Sequence, residues 1–100
     1  MIYFEWDEKK AASNLEKHGL AFEDAALIFQ DEFRLTQEDS VADGELRWRT
    51  VGLAAGITVL LVIHLEESDD QDIFVRIISA RKALEHERMD YERNRSQNIG

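Results

Sequence analysis

The sequence predicts an α+β fold: an N-terminal strand and two helices packed on an antiparallel sheet of about four strands, then a C-terminal helix. Two observations predict it. Apolar residues recur at helical spacing in the first third of the chain and switch to a period of two from Glu45 onward. The glycines at 52 and 56 and the acidic segment Glu66 to Asp72 then mark antiparallel connections, followed by a last, highly charged helical stretch.

Ile2 to Trp6 alternates and is rich in β-branched and aromatic residues, which predicts a short strand. Asp7 is a good N-cap, Glu8 suits the positive end of a helix, and Gly19 supplies a left-handed stop. On that helix Ala11, Leu15 and His18 share one face, and Lys10, Asn14 and Lys17 another. Phe22, Ala25, Ala26 and Phe29 define a second short helix. Phe33 to Glu38 is a candidate strand, and Gln37 to Gly44 reads as a polar loop.

From Glu45, Leu46, Trp48 and Thr50 face one way and Arg47, Arg49 and Val51 the other. Ile57 to Leu65 is almost wholly apolar, as a central strand buried on both faces would be, with Ile57 to Ile63 its most buried part. Ile73 to Ala80 is the next strand. A final helix begins near Lys82 and fades after Arg93, so that residues 1–93 form a single domain and 94–100 a polar, frayed tail.

One hundred residues with 44% hydrophobic and 33% charged content fit one soluble domain. No apolar run approaches a membrane span, no secretion signal opens the chain, and there is no cysteine, so a cytoplasmic protein without thiol chemistry is expected. The net charge of −9 opposes nucleic-acid binding, but it is unevenly spread. Residues 31 to 45 hold six acids and one base (−5), whereas residues 76 to 95 hold six bases and four acids (+2). A local basic site is compatible with that polarity, and so is a basic protein partner.

Arg47 and Arg49 leave one face of a strand, Arg76 lies inside another, and Arg81 stands where that strand ends. A guanidinium is always charged and grips phosphate bidentately, so a group of them can hold an RNA backbone and stabilise charge on a reacting phosphoryl group. The plain alternative is that each arginine pairs with one of the many acids. His64, at the end of the buried strand, is expected at a sheet edge or mouth, where it and Tyr91 are candidates for moving a proton. Lys10 and Lys82 are candidate backbone contacts. His18 is explained by the helix C-terminus it occupies. His86 and Asp90 have metal-compatible spacing without a third ligand, so neither a metal nor another cofactor is expected. Gly52-Leu53-Ala54-Ala55-Gly56 lacks the lysine of a phosphate loop, and neither Ser13 nor Ser79 sits in a nucleophile elbow.

Two sets of residues carry a resemblance. The first is Phe4-Glu5-Trp6-Asp7 with Lys10, Asn14, Lys17-His18-Gly19, Phe22, Ala25 and Ala26. The second is Gly44-Glu45 with Arg47 and Gly52, then Arg76-Ile77-Ile78-Ser79-Ala80-Arg81 with Ala83, Glu87 and Tyr91. In this order, over residues 2 to about 92, they resemble the BrnT family of type II toxins, small ribonucleases with a RelE-like fold. The resemblance implies an endoribonuclease that cleaves RNA through the ribose 2′-hydroxyl without a metal. It also implies neutralisation by a BrnA-like ribbon-helix-helix antitoxin, with operator DNA bound only through that antitoxin. On that reading Arg47, Arg76 and Arg81 hold the scissile phosphate, Arg49, Lys82 and Lys10 contact RNA, and His64 or Tyr91 transfers a proton. A reading from another class stays open: a catalytically silent binding module that sequesters a basic partner or acts only as a corepressor.

Overall fold

The structure, a computed structural model, describes residues 1–99. Its elements are β1 (Ile2–Trp6), α1 (Glu8–His18), α2 (Phe22–Ala25) continued by a 3-10 turn (Ala26–Gln30), β2 (Leu35–Ala42), β3 (Glu45–Ala54), β4 (Thr58–Ser68), β5 (Ile73–Lys82) and α3 (Glu85–Ile99). One five-stranded sheet in the order β1-β5-β4-β3-β2 carries them. β2 to β5 form an antiparallel meander, and β1 pairs parallel with β5.

Local chemistry explains most boundaries. The Asp7 carboxylate accepts from the backbone N–H of Lys9 (2.8 Å) and Lys10 (3.2 Å), and Gly19, at φ 65°, ends α1 by returning its N–H to the Leu15 carbonyl. Asp43-Gly44 and Ala55-Gly56 both have positive φ at the two central turn positions, the geometry of the tight hairpin turn that matches strand twist. The β3 backbone runs so close to the 3-10 turn that a Cβ on Gly52 would stand 3.0 Å from the Ile28 Cβ.

The sheet is covered on both faces, unequally. On one face α1, α2 and the 3-10 turn set Phe22, Ala25, Ile28 and Phe29 against Leu60, Val62, Val75 and Ile77. On the other, α3 sets Tyr91 against Val51 and Leu61, with Phe33, Leu53, Val59 and Ile63 around them. Strand alternation assigns the remaining side chains to faces, and the expected split of β3 holds: Thr50 lies under the helices, Arg49 and Val51 under α3.

β4 is the central strand, as its apolar run predicts, although Ile57 itself is in the turn and 83% exposed. Several expectations are corrected. The N-terminal strand is not separate from the sheet but its fifth member, and it makes the sheet mixed instead of purely antiparallel. The polar segment 37–44 is mostly strand β2 and its turn; as an edge strand exposed along nearly all its length, β2 carries no apolar alternation. The second helix tightens to 3-10 at Ala26. β5 runs on to Lys82, so α3 starts at Glu85, and it continues to Ile99 instead of fading after Arg93. On α1 the buried residue is Asn14, while Leu15 and His18 are exposed. Asn14 bonds the N–H and C=O of Ala80 (3.0 and 2.9 Å), so it replaces a missing strand neighbour at the end of β5.

The β3–β4 ladder runs from Ala54–Thr58 to Trp48–His64 and stops. Beyond it Glu45 to Arg47 pair only with β2, and Leu65 to Ser68 only with β5. The sheet opens there like a wedge.

A guanidinium face as candidate active site

Alternation along β3 places Arg47 and Arg49 on the face that α3 covers only in part, and on β5 a bulge at Ile78, where the ladder to β4 shifts register, brings Arg76 and Arg81 to that same face. Two of them are drawn together by Glu87 in the first turns of α3. Its Oε2 accepts from Arg49 Nη2 (2.9 Å) and Arg81 Nη2 (3.1 Å), and its Oε1 from Arg81 Nη1 (2.8 Å) and the Leu84 N–H (2.8 Å). Glu87 is therefore at once the cap of α3 and the clamp on two strands. It is 5% exposed, whereas the side chains of Arg49 and Arg81 keep 32% and 35% of their surface in solvent. The fork of Arg81 holds the Glu87 carboxyl below the usual carboxylate range, and Glu87 in turn raises the Arg81 guanidinium.

The other sequence candidates are more scattered. Arg47 stands two residues from Arg49 on the same face and forms no ion pair among the described residues. Arg76 lies five residues before Arg81, roughly 16 Å along the strand, and pairs instead with Glu5 on β1 at 3.4 Å. Lys82 is exposed at the end of β5. Lys10 is exposed on α1, on the opposite side of the sheet from the arginines. Among the described residues no group of three potential ligands could hold a metal ion.

Both proton-transfer candidates are interior. His64, expected at a mouth, is 0% exposed beneath the helices: Thr50 Oγ1 lies 2.8 Å from its Nε2, and its ring meets Phe29 edge-on. Burial pushes its pKa down to about 4, so at neutral pH it is an uncharged core residue. It points away from the arginines because β4 turns alternate residues to opposite faces, and Leu65 takes the other side. Tyr91 projects from α3 into the core against Val51 and Leu61 and donates its hydroxyl to Asp31. Burial and that acceptor push its pKa up to about 12. Asp31 also accepts from the N–H groups of Phe33 (2.9 Å) and Leu53 (2.8 Å), and so ties the segment after the 3-10 turn to β3 and α3.

Glu87 and Asp31, the two carboxylates that organise this face, were not singled out as such by the sequence reading. Glu87 had a signal, an acid in the first turn of a helix that starts just after a strand-terminal arginine. Asp31 had at most a local turn bond to Phe33, since its other two partners lie 22 and 60 residues away.

The description "Ribonuclease toxin, BrnT, of type II toxin-antitoxin system" matches residues 6–87 of the chain. In structure, the chain is similar to the Brucella abortus ribonuclease toxin BrnT, seen in a crystal structure at 1.1 Å, with a TM-score of 0.57 and 24% identity. The similarity covers 85% of this chain and 99% of that one, and it is a likeness of fold. No curated protein sequence matches the chain. With most of its length, from α1 through β5 to Glu87, inside the family match, the chain belongs to the BrnT family of ribonuclease toxins of type II toxin-antitoxin systems.

Proposed function

We propose that the chain is an active endoribonuclease toxin whose arginine face holds the scissile phosphate of RNA, and that a BrnA-like ribbon-helix-helix antitoxin neutralises it. The observation that carries this reading is the Glu87 clamp. It fixes two guanidinium groups against one near-buried carboxylate while both remain open to solvent. Arg49 spends one nitrogen on Glu87 and keeps the rest of its fork for a ligand. Arg47 adds a third cation on the same side. Donors held in place before the substrate arrives need little rearrangement as charge grows on the phosphoryl oxygens.

In the step proposed, the ribose 2′-oxygen attacks the neighbouring phosphorus and the 5′-oxygen leaves. The products are a 2′,3′-cyclic phosphate and a 5′-hydroxyl. Arg47, Arg49 and Arg81 stabilise the doubly charged phosphorane-like transition state. Water accepts the 2′ proton and supplies one to the leaving oxygen, because His64 and Tyr91 are enclosed and hydrogen-bonded elsewhere. Arg76 and Lys82, farther from the clamp, contact the more distant RNA backbone. A face built of guanidinium groups repels metal ions, which suits chemistry without one.

The test is cleavage of RNA by the purified chain in chelator, with product ends analysed. Arg49→Ala is the diagnostic variant, because Arg81 keeps both bonds to Glu87 and the fold stays clamped. We expect Arg49→Ala to cut roughly 10- to 100-fold more slowly with a melting temperature near that of the parent chain. A parent chain that folds, binds its antitoxin and leaves RNA intact would establish the rival reading, a catalytically silent corepressor. The burial of both proton-transfer candidates favours that rival.

A further inference from the structure

Where β3 and β4 part, the wedge between them is a cleft of about 470 Å³ lined on its apolar side by Leu46, Trp48, Leu65 and Phe74. Its rim carries Glu5, Glu45, Glu66 and Glu67 against one cation, Arg76, which Glu5 already engages. The two strand segments that border it, 45–47 and 65–68, each have a strand neighbour on one side only. Their inward edges therefore present backbone donors and acceptors to the cleft, a surface that an added strand completes.

We infer that this wedge receives an extended, cationic segment of a partner protein, which pairs with the open strand edges and sets its basic side chains on the glutamates. Charge selects the occupant. The rim has a balance of −3, so it repels RNA and disfavours the edges of a second copy of this acidic chain (net −9). Alternation in the added strand would turn one set of side chains to the face of Glu5, Glu45 and Glu67 and the other to the face of Leu46 and Trp48, so basic residues would meet the glutamates on one face while apolar ones cover Trp48 on the other. In the type II system proposed above, that partner is the antitoxin. The inference rests on the toxin reading for this name alone.

The probe is an end-blocked nonapeptide of alternating lysine and valine with a central phenylalanine, titrated calorimetrically into the full chain at low salt. One-to-one binding is expected. The triple variant Glu45→Gln, Glu66→Gln, Glu67→Gln should weaken it by roughly tenfold or more, as three partly exposed ion pairs allow. A charge-matched control with Glu8→Gln, Glu23→Gln and Asp24→Asn should bind like the parent. The same peptide N-methylated at alternate residues should also lose roughly tenfold, since its edge can no longer donate. The inference is overturned by any of the following: no binding at millimolar peptide, equal binding by the triple variant, undiminished binding of the methylated peptide, single-stranded RNA that binds the parent in the absence of peptide and not the triple variant, or a parent dimer that the triple variant dissolves. No RNA is cut in this titration, so an inactive chain leaves it intact.

Discussion

The two faces of the sheet handle polar residues in opposite ways. Under α1, α2 and the 3-10 turn the polar groups are neutral and paired: Asn14 with Ala80, His64 with Thr50, and Thr50 also with Thr36 at 2.8 Å. Under α3 they are charged: Glu87 with Arg49 and Arg81, and Asp31 beside Tyr91. The first face is sealed by three segments and can exclude water, so ionised groups there would be costly. The second is roofed by one helix, and its arginines reach solvent past the roof. Charge is kept where water remains, and that is the face on which a phosphate can land.

The difference between the two faces disappears if the α3 side is only a loose cover. Leu61, 3% exposed between Val51 and Tyr91, tests this. Leu61→Asp would bury an unpaired carboxylate at a cost comparable with the whole stability of a small domain, roughly 5 kcal/mol or more. We expect no cooperative thermal transition for that variant. A melt like the parent's would mean that α3 does not form a core with the sheet.

A smaller effect should follow removal of the clamp. Glu87→Ala leaves Arg49 and Arg81 side by side with no counter-charge and removes the bond to the Leu84 N–H. Breaking a buried ion pair from one side typically costs about 3–5 kcal/mol, here at the lower end because both arginines are a third exposed. The sign with pH follows from the Arg81 fork, which depresses the folded-state carboxyl of Glu87. Its stabilisation is present above the ordinary glutamate value and is lost as pH falls through the lowered one. Urea unfolding at neutral pH should show the full deficit of Glu87→Ala, and the deficit should shrink in acid. A deficit that does not change with pH would mean that packing, not charge, holds the clamp.

How much of this was legible depended on sequence distance. The caps Asp7 and Gly19, the period-two run of β3 and the apolar core of β4 are local signals, and they located these elements. Only the first half of β2 is legible, in the candidate strand Phe33 to Glu38, because an exposed edge strand has no apolar rhythm, although Asp43-Gly44 is a hairpin signal that extends it through 42. The parallel seat of β1 beside β5 joins residues about 70 apart, beyond the reach of any local pattern. The arginines at 47, 49, 76 and 81 read as one converging group, and the pleat, with the bulge in β5, does place them on one face. That Arg76 would pair with Glu5, and that Glu87 would gather the other two, depends on which strands neighbour each other. His64 shows the limit most clearly: an apolar run followed by acids suggests a strand leaving the core, yet the pleat turns this one side chain back under Phe29.

That placement yields the smallest and most discriminating effect. Burial holds the folded His64 at a pKa of about 4 against 6.5 for the free side chain, so the folded imidazole resists a proton that the unfolded one accepts. Above about pH 6.5 neither state is charged and the residue adds no pH dependence. As pH falls below that, the unfolded chain is favoured, by about 2 kcal/mol at pH 5, and the loss levels off only near pH 4. This window opens well above the glutamate range, so between pH 7 and 5 the slope belongs to His64 and not to Glu87. His64→Gln, which keeps a polar group near Thr50, should be less stable than the parent at pH 7 but flatter in stability from pH 7 to 5. Its RNA-cleavage rate at pH 7 should stay within a few-fold of the parent wherever the fold is intact. A steep loss of cleavage in a folded His64→Gln chain, with the parent's acid slope unchanged, would move His64 from the dry face to the wet one and return the proton-transfer role to it.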